Sequence, residues 1–308
     1  MEWIIARWVT FAATIVAAGA CTLGLVIVPR AAADAATRSA IAGSAARIGL
    51  TACLALVPAS GLRLLDQVLA LRAPGDPWTT GIAPLIGSTM WGTGFLLGCG
   101  ATLMLAVAFL FARRLPHASW PWWLALIGSV ALCASPSLQG HAIGSEQFTA
   151  LAVAADIMHV SGAALWLGTL SVVAWMGVSM ANADVDVNGS DHVSADSRLR
   201  LLIPLVPRVA LPGAAMLLST GVASSVLRLT AFSDLWSSEW GRYVLAKAVL
   251  ASAIVALGAI NWRVRGPQVQ TAGGAKALRQ TMLTELAIAA LVLVITAVLV
   301  VATPPGEP

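Results

Sequence analysis

Apolar stretches long enough to cross a bilayer recur along the whole chain, separated by short polar connections. The pattern predicts eight helices, over about Ile4–Val28, Ser39–Leu71, Leu85–Phe111, Trp120–Pro136, Phe148–Met180, Leu201–Leu229, Arg242–Trp262 and Leu278–Ala302. A membrane-spanning helix needs roughly 20 predominantly apolar residues, and these runs match that length. Barrel strands would instead alternate polar and apolar positions over about ten residues, a pattern the chain lacks. The expected fold class is all-α: a polytopic membrane helical bundle of about eight transmembrane helices, forming a single integral membrane domain over residues 1–308. Residues 1–134 make an N-terminal four-helix half and residues 135–308 a C-terminal half.

Composition agrees with the pattern. Of 308 residues, 58% are hydrophobic and only 10% charged, with a mean hydropathy of +0.85, which leaves too little polar surface to cover a water-soluble globule. The lipid bilayer is the expected surroundings, and no nucleic-acid partner is expected. The first span is expected to stay uncleaved. Its apolar core is longer than the ~7–15 residues of a signal peptide, and Glu2 weakens the basic start that such a peptide requires.

Basic residues set the expected orientation. Arg30, Arg38, Arg113, Arg114, Arg198, Arg200, Arg263, Arg265, Lys276 and Arg279 fall in connections on one side. Only Arg7, Arg63, Arg72, Arg228 and Arg242 fall on the other, near helix ends. Because cytoplasmic loops are enriched in Lys and Arg, this ten-to-five asymmetry predicts that both termini face the periplasm.

Several chemically capable residues read as ordinary structure. Cys21, Cys53, Cys99 and Cys133 fall one per helix in the first four spans with no C-x-x-C pair, as expected for small residues in helix packing. The polar stretch 181–201 has no apolar periodicity and reads as a flexible linker, which makes His192 a solvated loop residue. His117 adjoins Trp120, Trp122 and Trp123, where an interfacial aromatic belt is expected.

Charges inside the spans are more informative, because an ionisable group at membrane depth is costly and normally faces a partner or a polar interior. Arg47, Arg208 and Glu285 lie toward the cytoplasmic third. There Glu285 is expected to neutralise Arg47 or Arg208 and fix helix packing, with a transport-path role as the alternative. Lys247 is shallower, placed to snorkel outward. Asp156 and His159 lie deeper from the outer side and, three residues apart, project from one helix face. Ala163 and Trp166 follow at helical spacing, and Gly162 and Gly168 allow close helix approach around them. His141 stands at the outer end of the fourth span, joined to the fifth by a short connection.

Two imidazoles and a carboxylate suit a copper ion, and thioethers from Met90, Met158 or Met216 would suit Cu(I). Met158 points about 100° away from His159 and is the least suited of the three. Asp156 serves either as a ligand or by orienting a histidine through its ring N–H. An intramembrane His–Asp pair equally suits a proton relay, and the residues alone leave both readings open.

The segments "GHA", "ADIMHVSGAALWLGTL", "LLSTGVASSVLRL", "WGRYVLAKAVLASAIVALGAINWRV" and "LRQTMLTELAIAALVLVITAVLVVATPPGEP" resemble the copper resistance protein D (CopD) family of bacterial inner-membrane proteins. The resemblance covers nearly the whole chain and is clearest from residue 135 onward. It rests on the H-x-x-x-x-x-x-W-x-G pattern at His159–Gly168, on W-G-R-Y-x-L-x-K at Trp240–Lys247, and on T-P-P at Thr303–Pro305. It implies a multi-pass protein that moves copper from the periplasm across the inner membrane, with a small periplasmic copper-binding protein of the CopC type as partner. By position, His141, His159 and Glu285 match the family's two histidines and its acidic residue in the last helix. The chain has no CopC-like β domain and no Met- or His-rich capture loop. It also lacks a G-x-x-x-x-G-K-[ST] nucleotide loop, so ATP-driven pumping is not expected.

The function expected from sequence is copper handling by a transporter, not an enzyme. In a second reading, His141 and His159 are axial ligands of a b-type haem in an electron-transfer or metal-reducing protein. A third is a copper-binding membrane chaperone or sensor that transports nothing.

Overall fold

A computed structural model describes residues 2–140, 149–179, 195–271, 273–302 and 305. It contains eight helices long and apolar enough to cross a membrane: α1 (Ile4–Arg30), α2 (Ala35–Leu71), α3 (Met90–Arg114), α4 (Trp120–Leu138), α5 (Ala150–Gly177), α6 (Pro207–Arg228), α7 (Glu239–Gln268) and α8 (Gly274–Leu299). Large apolar side chains such as Leu54, Leu103, Ile127, Val222 and Val249 point outward. In a water-soluble protein that distribution would be unfavourable, but in a lipid-facing bundle it is expected.

Two boundaries depart from the hydropathy pattern. The third apolar run divides into a short helix, Ile82–Ser88, and α3. Thr89 sits between them in an extended conformation, and its hydroxyl accepts the Gly92 N–H at 3.0 Å, starting α3 afresh. The sixth run divides at 203–206, between the helix Ala195–Leu202 and α6, where Pro204 and Pro207 each lack an N–H for helix continuation.

Helices α1–α4 pack as α1 on α2, α2 on α3, α3 on α4 and α4 back on α1, closing a four-helix ring. The C-terminal four form an open arc in the order α6, α5, α8, α7. Among the described residues, α6 and α7 make no extended contact with each other. The central helix is α1, which packs on α5 and α8 as well as within its own half.

Close backbone approach joins these pieces. A Cβ on Gly168 of α5 would stand 2.1 Å from the Ile15 carbonyl oxygen, and one on Gly19 of α1 would stand 2.1 Å from the Gly168 carbonyl carbon. At the α5–α6 crossing, a Cβ on Gly162 would lie 2.7 Å from the Gly213 carbonyl oxygen. The expected roles of Gly162 and Gly168 are therefore met, with Gly213 and Gly19 as their counterparts. Cys21, Cys53 and Cys133 are buried in packing as expected, whereas Cys99 is exposed.

Candidate functional site

In the C-terminal half, polar groups gather in two layers. The outer layer begins on α5, where Asp156 and His159 both face α6, as their spacing predicts. An Asp156 carboxylate oxygen pairs with the Arg228 guanidinium at 3.4 Å, and the other accepts from Ser224 Oγ at 3.5 Å. One turn along, His159 Nδ1 lies 3.2 Å from Thr220 Oγ1. Half-buried Lys247 of α7 is within electrostatic reach of Asp156, Arg228 and His159. Met216, Thr220, Ser224 and Arg228 recur every four residues, so they form one stripe down α6 that runs antiparallel to the Asp156–His159 face.

The hydroxyl of Thr220 constrains the imidazole. It donates to the Met216 carbonyl at 2.6 Å, so what it offers His159 is a lone pair. This arrangement suits the tautomer with the ring proton on Nδ1, in which Nε2 carries the lone pair. Asp156 is engaged by Arg228 and Ser224, whereas the His159 ring is met by Thr220 and the Leu217 backbone of α6.

Beneath this layer lies an apolar plug of Ala163, Trp166, Ile254 and Ala289 from α5, α7 and α8, with Leu217 of α6 packed against it. Trp166 falls within a π-helical turn, Ala164–Gly168. Below the plug, buried Glu285 of α8 accepts a hydrogen bond from Asn261 Nδ2 of α7 at 2.8 Å. Thr281 donates to the side-chain oxygen of Asn261. Asn261 opens a second π-helical turn, Asn261–Arg265. From Asp156 to Trp166 is ten residues, so the plug sits about 15 Å along the helix from the outer carboxylate.

The expected arginine partner of Glu285 is replaced by Asn261. Arg47 instead donates to Ser44 Oγ on α2 at 3.0 Å, and Arg208 is exposed at the start of α6. An amide on the neighbouring helix meets the carboxylate without moving a long cationic side chain between elements. Lys247 stays half-buried beside Asp156 rather than standing alone at the surface. Met216 lies one turn from Thr220 on the α6 stripe. Met90 is exposed at the start of α3, and α3 packs on α2 and α4, away from the His159 layer. Met158 is exposed, as its angular offset predicts. His141 and His192 lie outside the described residues. Among the described residues, no three His, Cys, Asp or Glu side chains converge into one metal-sized group.

A second polar cluster lies in the N-terminal half. Arg7 and Asp66 pair at 2.8 Å, and Arg63 lines a small cavity with Thr10, Thr14, Ser60 and Gln139.

The fold and these charged layers define a multi-pass helical membrane protein with a polar interior in its C-terminal half. Residues 207–299, which span α6 to α8, match the family model described as copper resistance protein D. Over 279 residues, 88% of the chain, it is 23% identical to the copper transport protein CutJ of Bacillus subtilis (strain 168). The chain spans 47% of that relative's length. No solved structure matches the chain. The family match includes Thr220, Arg228, Lys247, Asn261 and Glu285, and begins after Asp156 and His159.

Proposed function

We propose that this protein carries copper across the bacterial inner membrane from the periplasm, as a transporter and not an enzyme, with both termini on the periplasmic side. The observation that carries the reading is the anchoring of His159 against α6: Nδ1 lies at the Thr220 hydroxyl, and in the tautomer with the proton on Nδ1 the Nε2 lone pair is the one that binds a metal. A ligating histidine commonly has its other nitrogen fixed in this way. Copper enters the outer layer on His159, with Met216 and Asp156 alongside, and His141 is the further ligand expected from the sequence.

The charge of the layer selects the oxidation state. Arg228 and Lys247 outnumber Asp156, so a monovalent ion meets less repulsion than a divalent one, and the Met216 thioether also suits Cu(I). Passage inward requires the Trp166 plug to open toward Glu285 and Asn261. Both flanking π-helical turns support this, since such turns concentrate at functional sites. In this reading a periplasmic protein of the CopC type delivers the ion.

Cellular copper measured in a copper-transport-deficient bacterial host tests the reading. Wild type should raise copper content, and His159→Ala should lose the gain at equal membrane abundance. Equal gain from both proteins, or lowered copper with wild type, would reject the site or the direction respectively.

A further inference from the structure

At the opposite end of the bundle from the His159 layer, a cavity of about 270 Å³ is lined by Ala40, Gly43, Ser44 and Arg47 of α2, Arg113 of α3 and Arg198 of the Ala195–Leu202 helix. We propose that this cavity is a binding site for a phosphate group, carried on an anionic lipid headgroup or free in solution.

Three guanidinium groups line one concavity. Arg47 and Arg198 both donate to the same oxygen, Ser44 Oγ, at 3.0 and 3.5 Å. Ser44 in turn donates to the Ala40 carbonyl, so it meets both guanidiniums with lone pairs. Arg113 stands exposed in the last turn of α3, and among the described residues no ion pair is formed by Arg47 or Arg113. Guanidinium forks match the tetrahedral oxygens of phosphate and can bind them bidentately.

The floor of the cavity is built from small residues. A Cβ added at Gly43 would meet nothing within 4 Å, so the space before it is open. The volume is that of about nine waters at ~30 Å³ each, ample for a phosphate group. Its level in the bilayer also fits. The 37 residues of α2 make a helix about 55 Å long, which exceeds the ~30 Å hydrocarbon core, while Arg113 marks the end of α3. Basic pockets at this level bind lipid headgroups. Below the pocket, Leu54 follows Arg47 by two turns and Leu110 precedes Arg113 by one. Both are exposed, giving an acyl chain an apolar track.

Two assays on the full chain separate the sources. Inorganic phosphate is titrated calorimetrically into protein in phosphatidylcholine nanodiscs, against chloride at equal ionic strength. Retention of phosphatidylglycerol from mixed micelles is read by native mass spectrometry. Arg47→Ala, Arg113→Ala and the charge-neutral Gly43→Leu, which fills the floor, are compared with wild type after each elutes as a folded monodisperse species. The expected result is roughly tenfold weaker phosphate binding, or loss of a stoichiometrically retained phosphatidylglycerol, in all three variants. Phosphate binding without lipid retention assigns free phosphate, and retention without phosphate binding assigns the headgroup. The proposal is overturned if the variants match wild type in both assays. It is equally overturned if only the arginine variants change while Gly43→Leu binds normally, which would indicate diffuse surface charge instead of a pocket.

Discussion

Replacing Gly168 by Ala tests whether the junction between the two halves depends on backbone contact. The added methyl would stand 2.1 Å from the Ile15 carbonyl oxygen and 3.1 Å from Gly19 Cα. Ordinary contact between non-bonded atoms lies near ~3.5 Å, so the methyl falls more than ~1 Å short of it. The obstacles are backbone atoms of α1, which cannot rotate aside, so α1 and α5 must separate. Overpacking of this kind costs about 1–3 kcal/mol, with further loss because contacts along the whole crossing loosen together. Gly100→Ala is the control: nothing lies within 4 Å of a Cβ there, and alanine's helix propensity favours it by up to ~1 kcal/mol. Thermal unfolding in detergent, followed by loss of the monodisperse peak on size exclusion, should show a clear drop for Gly168→Ala and none for Gly100→Ala. A Gly168→Ala midpoint equal to that of wild type would refute the close-contact reasoning.

Other perturbations separate site from scaffold. Gly213→Ala pushes its methyl to 2.8 Å from Leu165 Cβ, wedging α5 from α6, and should weaken copper binding more than Gly168→Ala does, as read by equilibrium competition with a Cu(I) chelator. Thr220→Val removes the acceptor of the His159 ring proton and should lower copper affinity by about 10-fold or more; Thr220→Ser should restore it. Glu285→Gln retains an oxygen for Asn261 and should keep folded yield. Glu285→Leu strands a buried amide donor at a cost of about 1–3 kcal/mol and should reduce yield. Asp34, at the start of α2, accepts from the Thr37 backbone and hydroxyl, and these bonds hold its carboxyl below the usual range. Its stabilising contribution is therefore present above about pH 4 and lost as pH falls through the depressed value. Asp34→Asn should flatten that part of the pH dependence of thermal unfolding.

The eight spans were readable because bilayer length and apolarity are properties of single segments. The breaks at Thr89 and at Pro204–Pro207 were also visible as capping and proline signals, but the surrounding hydropathy masked them. Pairings between helices were harder. The spacing of Asp156 and His159 announces a shared face, yet which helix receives it depends on how spans more than sixty residues apart pack together. The four-residue stripe of Met216, Thr220, Ser224 and Arg228 was the available clue to α6. Glu285 misled for a related reason: opposite charges suggest an arginine partner, while the packing of α7 on α8 brings Asn261 to the carboxylate first.

The most direct test of the account is copper stoichiometry and X-ray absorption on purified protein loaded with Cu(I), wild type beside His159→Ala, with an optical spectrum of each. Wild type should bind copper with nitrogen and sulfur scattering, folded His159→Ala should lose it, and neither should show a haem Soret band. Copper bound equally by both proteins, or a Soret band that disappears with His159, would contradict it.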